Sequence, residues 1–234
     1  MSLNVKTMKT ESNYVRPPAL GAGTYPAFPV QILGLGLQEQ RPFKGEAKPP
    51  KQEVMITYEL ADEFLMDEEG EEDLTKPRWV GEDFPMNPLD SDLAKSTHRY
   101  NAIDPDMKYG GDFSKLVGVP CLLVLSAEPS KKDPDVIYNN VKGVNTMRAK
   151  DAAKMTGLVN PSKVFDFDTP DMEVFNSIPE WIQNKMKASL DYGGSDLEAL
   201  VNGGDKGKEP AVKAKASGAA EVGESKDYGD DESW

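Results

Sequence analysis

One cysteine and one histidine in 234 residues set the first limits on what this chain can do. With Cys121 alone no intramolecular disulfide can form, and its place in the run Val119 to Leu125 reads as a buried strand residue. His98 alone removes most nucleophile–base triads, and one Cys with one His cannot build a protein zinc site without several carboxylates. Metal-free acid–base enzymes stay open. Long apolar runs are missing too: no window approaches the roughly 18 residues of a membrane span, and the opening MSLNVKTMKTESNY lacks the apolar stretch of a secretory signal. The expectation is a soluble, intracellular protein with no membrane partner. A dinucleotide fingerprint is also lacking. GLGLQE at 34–39 carries Glu39 where a third glycine is needed, and the proline-rich segment after it does not open a helix.

Charge of one sign is in excess, and its distribution matters more than its total. The net charge is -13, from 40 Asp and Glu against 27 Lys and Arg. Eight of the acids lie between Asp62 and Asp73, and six lie between Glu221 and Trp234. Setting those two segments aside, together with Lys226, leaves 26 acids against 26 Lys and Arg. A neutral body can carry one basic and one acidic face, so a phosphate-binding groove is permitted. The cluster DEEGEED at 67–73 reads as a solvated hairpin tip, because a Ca²⁺ loop needs ligands at alternate positions. A carboxylate-metal nuclease stays open as a third-ranked reading, although no spacing singles out its ligands.

The pattern along the chain is mainly β. With 38% hydrophobic and 8% aromatic residues the chain can fill one packed core. Residues 1–22, polar with Pro17 and Pro18, read as a flexible arm. A long strand follows over 24–37, with Gly34 and Gly36 marking a bulge or bend. Residues 38–51 (QEQRPFKGEAKPPK) read as a polar, proline-rich loop. Val54, Ile56, Tyr58 and Leu60 alternate with Glu53, Met55, Thr57 and Glu59, as in a half-buried strand. KPRWVGEDF at 76–84 returns antiparallel to it, completing a meander. Helical spacing of Leu93, Thr97, Tyr100 and Ile103 predicts a helix over 92–103, and Asp112 caps a short turn over 113–117 that stops at Gly118. Strands over 119–126 and 136–147 form a hairpin with Lys131 and Lys132 near its tip. Helix starts at Thr169–Asp171 and Pro179 follow, the second helix carrying Trp181, Ile182, Met186 and Leu190 on one stripe and ending at Gly193–Gly194. Beyond 203, Gly, Ala, Lys and acids predominate, and such a segment cannot offset its ordering entropy by burial.

Two features point to a ligand. Aromatics interleave with cations: Tyr25 and Phe28 on the first strand, Arg41, Phe43 and Lys44 in the next loop, Arg78 beside Trp79, and His98, Arg99 and Tyr100 together. Single-stranded DNA is held by such faces and charges, each stacked base being worth about 1–3 kcal/mol. Core packing competes for every aromatic. Trp181 is expected in the core, Tyr100 carries both readings, and Phe43 in its polar loop is the expected exposed stacker. The second feature is the ending DYGDDESW. Behind a flexible linker it can seat Trp234 in a partner's apolar pocket while its acids meet surrounding Lys and Arg, or occupy the protein's own groove as a phosphate mimic. A purely solubilising tail is the alternative.

The segments GAGTYPAFPVQILGLG, RPFKGEAKPPKQEVMITYEL, KPRWVGEDFP, AKSTHRYNAID, YGGDFSKLVGVPCLLVL and IYNNVKGVNTMR together resemble phage OB-fold single-stranded DNA-binding proteins over about residues 20–192. DDESW is similar to the acidic, aromatic-terminated tails of single-stranded DNA-binding proteins more widely, which usually end in Phe. The resemblance implies an OB-like five-stranded barrel with accessory helices over 23–192, and a disordered linker and acidic tail over 193–234. It implies coating of single strands without sequence specificity during phage replication, recombination or repair, in the host cytoplasm. Arg41, Lys44, Arg78, Arg99, Lys131 and Lys132 are expected at phosphates, and Phe43, Trp79 and Tyr100 under bases. Asp230, Asp231, Glu232 and Trp234 are expected to recruit replication or recombination proteins. No catalytic residue, metal or cofactor is assigned. The rival reading is a protein-interaction or assembly factor with no DNA role.

Overall fold

The structure, a computed structural model, describes residues 17–131 and 133–203. Its elements run β1 (Gly23–Phe43), β2 (Glu46–Met66), β3 (Glu72–Pro85), α1 (Lys95–Ile103), a 3₁₀ turn (Phe113–Leu116), β4 (Cys121–Pro129), β5 (Ile137–Thr146), α2 (Ala149–Ala152), β6 (Lys163–Phe165), α3 (Met172–Ser177), α4 (Glu180–Lys187) and α5 (Asp196–Val201). The molecule is mainly β. Its strands form one six-stranded sheet in the order β3-β2-β1-β4-β5, with β6 beside β1. All pairings are antiparallel except the short parallel β1–β6 ladder. The hydrogen-bonded path ends at β3 on one side and β5 on the other. Among the described residues no helix is long and apolar enough to cross a membrane.

β1 organises the sheet because it changes partner along its length. Gly23–Ala27 pair with β4, and from Ala27 onward the strand pairs with β2. A register shift at Gly34/Gly36 falls on the glycines expected to mark a bulge, and a further one lies at Pro29/Gln31. Gly36 sits at φ +77°, and a Cβ there would lie 2.7 Å from Asp191 Oδ1 and from Ser189 Oγ. Only glycine lets the segment after α4 approach this closely.

The predicted loop at 38–51 is a correction. It is a two-stranded ribbon, the joined ends of β1 and β2, closed by the two-residue turn Lys44–Gly45 with φ of 51° and 84°. Both positive φ values define the turn whose twist matches the flanking strands. Pro42, Pro49 and Pro50 are tolerated because they fall at the register shifts Gln38/Gln40 and Gln40/Phe43, where the ladder is interrupted.

Alternation along the strands fills two cores. Val54, Ile56, Tyr58 and Leu60 of β2 join Phe84, Tyr100, Ile103, Phe113, Leu123 and Val144 on one side. On the other side, Leu33 and Leu35 of β1 meet Phe165, Phe167, Phe175, Ile178, Ile182, Met186 and Leu197. That second core ties α3, α4 and α5 to the sheet. The expected linker from 193 is therefore corrected up to 203: α5 packs Leu197 fully buried, Ser195 Oγ accepts the Glu198 N–H at 3.1 Å, and Glu198 Oε2 accepts the Gly194 N–H at 2.6 Å. Ser195 and Glu198 are a capping box in the sequence. The α4 stripe is also corrected, since Ile182 and Met186 are buried while Trp181 and Leu190 are half exposed.

Candidate nucleic-acid interface

Two surfaces gather exposed aromatic rings beside cations. The first is the ribbon. Every residue from Arg41 to Pro50 is exposed, and Phe43 is 50% exposed at the tip. Lys44 Nζ lies 5.2 Å and Lys48 Nζ 4.8 Å from the Phe43 ring centroid, close enough for cation–π attraction. At about 3.3 Å per residue, the six steps from Leu37 to Phe43 carry this tip about 20 Å beyond the body. The ribbon's base is fixed by Asp191, whose Oδ1 accepts the Leu37 N–H and whose Oδ2 accepts from Gln52 Nε2, each at 2.9 Å.

The second surface is a cleft of about 330 Å³ on the face of the second core, between β2, β3 and the α3–α4 corner. Trp79, 41% exposed, and Trp181, 51% exposed, both line it, with Gln31, Met55, Thr57, Gly81 and Lys163. Trp79 is held in place by its Nε1, which donates to Glu59 Oε2 at 3.2 Å. The buried Glu59 carboxylate also accepts from the backbone N–H groups of Val159 and Asn160 and from Asn160 Nδ2, at 2.6, 3.2 and 2.7 Å. These bonds clamp the segment before β6 to the sheet beside Trp79.

Glu53 and Asp83, on β2 and β3 beside the cleft, are paired rather than open to a phosphate, whereas Glu180, between the lining residues Pro179 and Trp181, is exposed. Lys185 Nζ binds Glu53 Oε2 at 2.9 Å and also Asp83. Burial works to lower the Lys185 pKa, yet these two carboxylates hold it above the ordinary lysine value, so the cation persists. Lys163 is the charged residue lining the cleft, and its Nζ donates to Ser177 O at 3.4 Å.

The structure divides the expected site residues into five groups. Arg41, Phe43 and Lys44 come together on the ribbon. Trp79 faces the cleft, whereas Arg78 has the opposite parity on β3 and its Nη2 donates to Pro18 O at 2.7 Å, tying down the N-terminal segment. Lys131 is exposed at the β4–β5 hairpin. Lys132, Asp230, Asp231, Glu232 and Trp234 lie outside the described residues.

Arg99 and Tyr100 are corrections, because both are buried. Arg99 forks onto Glu82, Nε to Oε1 at 2.8 Å and Nη2 to Oε2 at 3.1 Å. The Tyr100 hydroxyl donates to Asp104 Oδ2 at 3.0 Å and accepts the Gly111 N–H at 2.8 Å. Neither is presented to a strand of DNA. Conversely, Trp181, expected in the core, and Lys163 and Lys48, not singled out, belong to the exposed surfaces.

Among the described residues no group of three or more His, Cys, Asp or Glu side chains is placed to hold a metal ion. Cys121 is buried, and burial pushes its thiol up to about 12, with the Glu82 carboxylate adding to the effect. Comparisons of the chain with protein-family models, curated proteins and solved structures find no match.

Proposed function

We propose that this protein binds single-stranded DNA without strong sequence preference, through the ribbon and the cleft face of β2 and β3. The observation that carries the reading is Phe43, a half-exposed ring on a fully exposed ribbon, flanked by Lys44 and Lys48. An aromatic face with adjoining cations suits a stacked base and its phosphates, and offers little to a folded core.

The fold supports the reading through its strand order. A β3–β5 pairing would close the sheet in the cyclic order 1-2-3-5-4 of an OB-like barrel, and Val80 of β3 and Val144 of β5 already share the first core. Folds of that order bind oligonucleotides on the face of strands 2 and 3 and at the loops joining strands 1 to 2 and 4 to 5. Trp79, Phe43 and Lys131 occupy those three places. The acidic ending is read as the recruiting element for replication or recombination proteins, in a protein of phage DNA metabolism.

Phe43→Ala tests the proposal, since losing one stack costs about 1–3 kcal/mol, fivefold or more in affinity for oligo-dT. Lys44→Ala with Lys48→Ala should flatten the salt dependence. Unchanged affinity and salt slope in all three variants would remove the ribbon from the interface. The rival reading has one observation of its own: Met66 and Leu74 stand largely exposed beside the acidic turn at 67–72, a surface that suits a basic protein partner with apolar side chains. It predicts that oligo-dT does not bind at all.

A further inference from the structure

The cleft between Trp79 and Trp181 holds more polar chemistry than a stacking platform needs. Gln31 and Thr57 are partners across the β1–β2 ladder, both line the cleft, and they are only 6% and 8% exposed. Neither side chain has a hydrogen-bond partner among the described residues. Their polar atoms are not sealed off, since among the described residues the fully buried side-chain N and O atoms without a partner are Ser126 Oγ and Ser189 Oγ, so the Gln31 amide and the Thr57 hydroxyl open to the cleft. Water that reaches them through the cleft can satisfy them in the free protein, and a ligand edge can take its place.

The rest of the cleft suits a planar ligand. Gly81 opposes Thr57 on β3, and a Cβ at that position would lie 3.1 Å from Met55 Cε and 3.6 Å from Thr57 Oγ1. A larger residue would therefore cover the hydroxyl. The volume of about 330 Å³ is near the lower end for small-molecule sites, enough for a single base with its sugar.

We propose that this cleft reads the hydrogen-bonding edge of one nucleobase. Trp79 and Trp181 supply apolar faces, Gln31 and Thr57 supply donors and acceptors, and Lys163 meets the adjoining phosphate. The inference rests on the single-stranded DNA reading and goes beyond it. A coating protein needs stacking and charge alone, whereas an amide and a hydroxyl at the base edge make one position selective.

The test uses the full-length protein and two labelled oligomers, oligo-dT and the same length built from difluorotoluene nucleotides. The second keeps thymine's shape but lacks its strong hydrogen-bonding edge. Wild type should bind the isostere about tenfold more weakly, as expected for two lost hydrogen bonds. Thr57→Val, nearly isosteric, and Gln31→Leu should bring oligo-dT down toward the isostere and narrow the difference. Trp181→Ala, at an exposed position, should weaken both oligomers alike. If Gln31→Leu does not fold, Thr57→Val carries the test. Equal wild-type affinity for the two oligomers would overturn the base-reading cleft and leave single-strand binding intact. No wild-type binding to either would overturn the single-strand reading and this inference with it.

Discussion

Replacing Arg99 with alanine should damage the fold rather than the interface. The guanidinium is buried and forks onto Glu82 at 2.8 and 3.1 Å. Removing one partner of a buried pair leaves an uncompensated charge and costs about 3–5 kcal/mol. Here the orphaned carboxylate keeps two contacts, Lys95 Nζ at 3.0 Å and the Tyr58 hydroxyl at 3.1 Å, so the loss belongs at the lower end, about 3 kcal/mol. For a domain of this size about 2–4 °C of melting temperature follows each kcal/mol, giving a fall of about 6–12 °C. Thermal unfolding followed by circular dichroism reads it directly, with Lys44→Ala as the exposed control expected to melt like wild type. An Arg99→Ala protein that melts with wild type but loses affinity for oligo-dT would refute the argument and return Arg99 to the interface.

Three further outcomes follow from buried or strained positions. Gly36→Ala combines a left-handed φ, costing roughly 1–2 kcal/mol, with crowding against Asp191, Ser189 and Phe167, and should lower the urea midpoint by more than about 2 kcal/mol of stability. Cys121, with its thiol pushed up to about 12 by burial, should resist a disulfide reagent at neutral pH and react only on unfolding; rapid labelling of native protein would contradict its placement. Burial raises the Asp191 carboxyl, but the Leu37 N–H and the Gln52 amide outweigh it and leave the pKa below the ordinary aspartate value. The stability Asp191 contributes is thus present above the unfolded pKa near 4 and is lost as pH falls through the lower folded value. Asp191→Asn should therefore unfold in urea with a shallower dependence on pH across that acid range.

Much of the β framework was legible because local pattern decides it. The alternation from Val54 to Leu60 separates the two faces of β2, although the other face is not open as expected, since Thr57 and Glu59 are buried too; the Asp112 and Asp171 caps mark their helices by side-chain chemistry alone. The ribbon was not legible for a local reason too: three prolines argue against a strand, and Lys44–Gly45 is not the Asn–Gly or Asp–Gly pair that signals such a turn. Other misses need contacts distant in sequence. Arg99 reads as a surface cation until Glu82 is seen opposite it on β3. β6 is three residues long, too short for any period, yet it anchors the second core through Phe165. Trp181 was grouped with Ile182 and Met186, although neighbours on a helix point about 100° apart and only the latter two face β1.

The site shows the same division. The Phe43 and Lys44 pairing was visible as a motif because a local turn sets it. The cleft was not, since it joins β1, β2, β3, β6 and the α3–α4 corner, and no stretch of sequence contains it. Gln31 and Thr57 looked like ordinary strand residues.

The most direct test of the account is a titration of full-length protein into labelled oligo-dT and its duplex counterpart across a range of salt. The account predicts binding to the single strand alone, weakening with a log–log salt slope of about -0.7 per neutralised phosphate, or about -3 for four contacts. No binding to oligo-dT at low salt, or equal binding to the duplex, would contradict it.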